Sequence, residues 1–168
     1  MKNRPLVLGI AYSILVIIFK LSIVLGGYGL SKFGFFFSHI VSVAAITPFI
    51  FFAIQLTKAD NGGFIGGKEA IKTGLKMLVV AAIITSAYNY IEFVWKWKDL
   101  SIEYYNSETY KNFLATKPSI KPDDYPKYIA SATTELSVFK AVTGKLFILF
   151  FFSISVSFIS AVFLRKAK

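Results

Sequence analysis

The chain has no cysteine, so disulfides, thiolate zinc sites and thiol nucleophiles are excluded together. A single histidine, His39, is too few for an imidazole-rich metal centre. Acids are scarce, with 9 Asp and Glu against 19 Lys and Arg, and the apolar runs contain no paired carboxylates of the kind an enzyme acting on lipid would need. Serines are frequent in those runs, yet no base is spaced to activate one of them. No catalytic, cofactor-binding or metal-ligating set emerges, and a non-enzymatic protein without a cofactor is expected.

What the chain does contain is apolar surface. At 55% hydrophobic residues, 168 residues and a mean hydropathy of +0.62, one soluble core cannot hide it all, and the excess must face lipid. The net charge of +10 does not indicate nucleic acid, because the cations stand at the ends of apolar runs and not in a patch interleaved with base-stacking aromatics. Orientation in a membrane and contact with anionic head groups account for them better.

Four apolar runs predict four spans, about 5–25, 33–56, 71–94 and 146–164, in an all-α integral membrane four-helix bundle. The first has a basic head but exceeds a signal-peptide core in length, and Gly26-Gly27-Tyr28-Gly29 follows it instead of a small-residue cleavage site. The second contains Pro48, which predicts a kink with Thr47 near the freed carbonyl. Between spans two and three, Asp60-Asn61-Gly62-Gly63 is turn chemistry. Lys68, Lys72 and Lys76 then fall on one helical stripe, with Glu69 three residues before Lys72. Residues 57–76 thus read as a glycine-rich turn and basic ramp, a possible contact for anionic lipid as well as an anchor for span three, which Trp95 and Trp97 close.

Residues 95–145 change character, with Pro118, Pro122 and Pro126 among mixed charges and with Tyr104, Tyr105, Tyr110, Tyr125 and Tyr128. Ile102, Tyr105, Phe113 and Leu114, and then Tyr125, Ile129, Ala132, Leu136 and Phe139, follow helical spacing. Two amphipathic helices with a proline-rich elbow are expected on the membrane surface, offering the tyrosines as a surface for a protein partner or a second copy. Four spans leave both termini on one side. The cations of that side crowd beside span ends, which predicts cytoplasmic termini and an extracytoplasmic 95–145 segment.

Small residues recur on one face of each span: Gly9 and Ser13, Ser38 and Ser42, Ala82 and Ser86, and Ser153, Ser157 and Ala161 with Ser160 beside them. Close packing of such residues associates helices in lipid. A polar layer is also predicted. At about 1.5 Å per residue, Lys20 lies about 7 Å from the outer end of its span, His39 about 9 Å and Glu92 about 3 Å, with Asn89 one turn deeper. These groups read either as an ion, proton or small-ligand site or as ordinary boundary residues, with Lys20 snorkelling, Glu92 among the head groups and His39 neutral. A Lys20–Glu92 ion pair pinning span one to span three is the position between them.

Asp60-Asn61-Gly62-Gly63-Phe64-Ile65, followed by Glu69-Ala70-Ile71-Lys72-Thr73-Gly74-Leu75 running into a span, resembles the small bacterial membrane proteins grouped as domain of unknown function 4199. The resemblance covers essentially the whole chain. It implies a multi-pass protein of the bacterial inner membrane with four spans, and it supplies no catalytic residues. The function expected first is that of an accessory or scaffold subunit of a larger membrane assembly. The alternative is a small channel or carrier using Lys20, His39, Asn89 and Glu92.

Overall fold

Pro5 stands in the first turn of α1 (Arg4–Leu25), where a helix has no use for the missing N–H. At the other end of α1, Gly26 and Gly27 stop the helix, Gly27 taking φ +76°. The computed structural model describes residues 3–28 and 38–164, with residues 38 and 39 described for the backbone alone. The basic tail, Arg165 to Lys168, and the first residues of the predicted second span lie outside this range. Among the described residues α1 is followed by α2 (Ser38–Asp60), α3 (Gly67–Glu92), α4 (Lys98–Asn106), α5 (Glu108–Ala115), α6 (Tyr125–Thr134) and α7 (Val138–Leu164), with no strand. The fold is an all-α helical bundle in which α2 runs unbroken through Pro48.

Four helices are long and apolar enough to cross a membrane: α1, α2, the continuous helix Gly67–Asn106 and α7. They form a closed circuit in which α1 packs on α3, α3 on α7, α7 on α2 and α2 on α1, and α2 also reaches α3 across the middle. The central core holds Tyr12, Ile46, Ile50, Ile54, Met77, Leu78 and Leu149. Outside it, Phe147, Phe151, Phe158 and Phe163 of α7 are exposed while Ser153, Ser157, Ser160 and Ala161 are buried. Large apolar groups facing out and small ones facing in is the arrangement expected of a helix solvated by lipid.

Close approach depends on two glycines. A Cβ on Gly9 would stand 2.7 Å from the Met77 carbonyl oxygen, and one on Gly74 would stand 2.9 Å from the Ser157 Cβ. Gly74, Ala70 and Ala81, all buried, form the packing face of α3. The expected pair there, Ala82 and Ser86, is only half-buried.

The turn between α2 and α3 behaves as its residues require. Gly62 and Gly63 adopt φ +69° and +87°, and the Gly63 N–H donates to the Lys58 carbonyl at 2.9 Å. Asn61 Nδ2 donates to Glu69 Oε1 at 2.9 Å, and Arg4 pairs with Asp60 at 2.9 Å, tying the starts of α1 and α3 to this turn. Ile65, before the N-cap Gly66, and Ala70, in the first turn of α3, are buried in the same core, a hydrophobic staple that fixes the entry of the helix. Lys68, Lys72 and Lys76 are exposed and, with Arg4, Asp60 and Glu69, line an open groove of about 720 Å³. The ramp is therefore the opening turns of the spanning helix itself, which begins at Gly67 and not near residue 71.

The far end departs further from expectation. A π-helical turn, Phe93–Trp97, follows α3 and leads straight into α4, giving a helix of 40 residues. At 1.5 Å per residue that is about 60 Å, roughly twice the hydrocarbon thickness, so much of it projects beyond the bundle. The wider turn shifts the inward row by one residue. Thr85 and Glu92 face inward before it, and Phe93, Trp97 and Ser101 do so after it. Trp97, expected as an outward anchor, is instead buried with Val24 and Phe93 against Leu100, Leu136, Val138 and Ala141, while Trp95 stays exposed. The same cluster explains why α7 starts at Val138 and not at residue 146: Val138 and Ala141 pack there, so helix persists below the apolar run.

Candidate functional site

On α1, Tyr12, Val16 and Lys20 recur every fourth residue and all three are buried. On α3 the facing positions are Thr85, Tyr88, Asn89 and Glu92. Lys20 is 4% exposed and Glu92 1% exposed, so neither side chain reaches the head groups. The boundary reading of these two residues is thereby corrected: a residue near a helix end snorkels only if it points outward, and both point into the bundle.

The Lys20 ammonium pairs with Glu92 Oε2 and donates to Asn89 Oδ1 at 2.7 Å, with the Tyr88 ring 5.0 Å away. Glu92 Oε1 accepts from the Tyr88 hydroxyl at 2.9 Å. Each carboxylate oxygen thus has its own donor, which a buried ion pair needs if attraction is to offset desolvation. His39 stands in the first turn of α2, and its side chain lies outside the described residues.

Sequence reasoning missed Lys145. It sits in the second turn of α7, lines the same cleft as Lys20 and Asn89, and interacts electrostatically with both Lys20 and Glu92. The signal is its place directly before the fourth apolar run, where hydropathy alone begins the span at residue 146. The cleft holds about 70 Å³ and is lined by Tyr12, Val16, Ser42, Ser86 and Leu149 besides these polar groups. Tyr12 closes it toward the core by donating to the Ser42 carbonyl at 2.6 Å. Among the described residues no group of three or more metal-ligating side chains occurs.

The family described as Protein of unknown function (DUF4199) matches residues 6–166. The chain belongs to this family. The matched region of this DUF4199 protein takes in all four long helices, the glycine turn and the charged cleft. Comparison with curated proteins and with solved structures gives no match.

The predicted tyrosine surface is divided. Tyr104, Tyr105 and Tyr110 form one cluster, with centroids 5.7, 5.6 and 4.9 Å apart, and Phe113 stacks on Tyr110 at 6.0 Å. These rings spend much of their area on one another. Burial, and then the neighbouring Tyr105 and Tyr104, hold the Tyr110 phenol above its ordinary pKa. Tyr125 and Tyr128 stand on α6, Tyr128 exposed. The stripe meant to continue from them stops, because the helix ends at Thr134 and Phe139 is 75% exposed.

Proposed function

We propose that this multi-pass protein is a small channel or carrier of the bacterial inner membrane, with its solute or ion site in the cleft between α1, α2, α3 and α7. The observation that carries this reading is a cavity lined by the buried Lys20 and the half-buried Asn89 and Lys145, with the buried Glu92 paired to Lys20 beside it, between helices long and apolar enough to cross a membrane. Ionisable groups are costly there and face bundle interiors where they serve a pathway. The π turn directly after Glu92 adds support, since such turns cluster at functional sites. Cytoplasmic termini follow from Arg4, Lys58, Lys68, Lys72 and Lys76 crowding at one end.

Purified protein in liposomes tests it by flux of protons, potassium, chloride and butyrate. At least one flux is expected to exceed that of empty liposomes and to fall about tenfold in Asn89→Ala, which leaves the ion pair in place. No flux above empty liposomes for any of the four sinks the reading.

A second reading, a non-enzymatic accessory or scaffold subunit, is favoured by Ile102, Phe113, Tyr128 and Phe139, which are exposed on or beside the outer helices. Affinity purification in mild detergent is then expected to bring down a stoichiometric partner. A clean monomer in repeated preparations counts against this reading.

A further inference from the structure

The cleft is unbalanced in charge. Lys20 and Lys145 bring two cations to its lining, and the neighbouring Glu92, which stands behind the lining, has both oxygens engaged by Lys20 and Tyr88. Among the described residues Lys145 makes no ion pair, although it faces Lys20 at close range. Half-buried beside Lys20, an ammonium in that position either sheds its proton or takes a counter-ion.

The space beside it is suited to the second outcome. A cavity of about 70 Å³ holds about five water-sized groups at the ~15 Å³ each requires. Lys20, Asn89 and Lys145 line it together with Ser42, Thr85 and Ser86, and Val16, Leu146 and Leu149 add an apolar wall. Chloride would leave that apolar wall unused, and a dianion would overcompensate the single excess charge. A further apolar groove of about 350 Å³ between α1 and α2, lined by Leu15, Phe19 and Val41, shares Val16 and Ser42 with the cleft.

We propose that the cleft binds a monocarboxylate, its head held between the Lys20 and Lys145 ammonium groups and its hydrocarbon part against Val16, Leu146 and Leu149. This deepens the solute-site reading by naming the class of solute. The carboxylate has two sources, a short-chain acid from water or a fatty acid from the bilayer, and the shared apolar lining serves either.

The test uses the full chain in a neutral maltoside detergent, with radiolabelled butyrate by equilibrium dialysis and radiolabelled oleate by gel filtration. One of the two is expected to bind at a stoichiometry near one, butyrate indicating an aqueous source and oleate alone a bilayer source. Lys145→Met is expected to weaken binding about tenfold or more, with Lys145→Arg close to the parent. Thermal stability of Lys145→Met is expected to hold, because the Lys20–Glu92 pair is untouched. Failure of both acids to bind overturns the inference, as does Lys145→Met binding like the parent. Proton or potassium flux without acid binding would leave the transport reading standing and this one refuted. Acid binding without any flux would do the reverse.

Discussion

Replacing Glu92 by methionine is expected to destabilise the folded protein by about 3–5 kcal/mol, because it strands the Lys20 charge inside the bundle. Lys20 and Glu92 are almost wholly buried, so water cannot take over the role of the missing partner. Lys20 would retain Asn89 as acceptor, but a neutral amide oxygen does not balance an ammonium in that setting. Lys20→Met is expected to cost less, because Glu92 keeps the Tyr88 hydroxyl and the nearby Lys145 ammonium. The double variant should recover a large part of the loss, since an apolar pair of similar volume is often as stable as the ion pair it replaces. Reversible unfolding of the three variants in mixed micelles measures the cycle. Single variants within about 0.5 kcal/mol of the parent would place both groups in contact with water, as ordinary surface pairs are.

Gly74→Val is expected to have the second largest effect, about 3 kcal/mol, at the upper end of the usual cost of overpacking. Gly74 lies where α3 meets α7. Even a methyl group there would collide with the Ser157 side chain and come within 3.3 Å of Ile50 Cγ2. The Ser157 hydroxyl can rotate away, but its Cβ cannot. Shortening Ser157 to glycine removes that obstacle, so the double variant Gly74→Val with Ser157→Gly should be more stable than Gly74→Val alone. Ser157 and Ser153 are fully buried with hydroxyls that have no hydrogen-bond partner among the described residues, which fits a role as spacers. Absence of rescue would mean that the two helices do not meet at this point.

These two sites show what the sequence could and could not disclose. The serine face of α7 was legible because small residues at four-residue spacing in an apolar run have few other uses in lipid. Its counterpart is not, since Gly74 lies among the cations of the basic ramp and the small-residue spacing further along α3 points to Ala82 and Ser86. The proximity of Lys20 and Glu92 was legible as one of three readings. Distance from a helix end gives depth but not direction, and direction is what separates a snorkelling lysine from a buried one. The π turn left no mark in residue type. Its consequences, Trp97 turned inward and Ser101 buried on the shifted row, depend on one added residue per turn that periodicity cannot reveal. Lys145 was lost to a boundary set by hydropathy, whereas the true start of α7 is fixed by packing of Val138 and Ala141 against Trp97.

Everything rests on a charged cleft enclosed by four helices that cross the bilayer, and the lack of native cysteine makes that claim open to direct labelling. Single cysteines at Asn61 and Lys117, one in the glycine turn and one beyond α5, should react with a membrane-impermeant maleimide from opposite faces of sealed vesicles. Labelling of Asn61 and Lys117 from the same face would contradict the account.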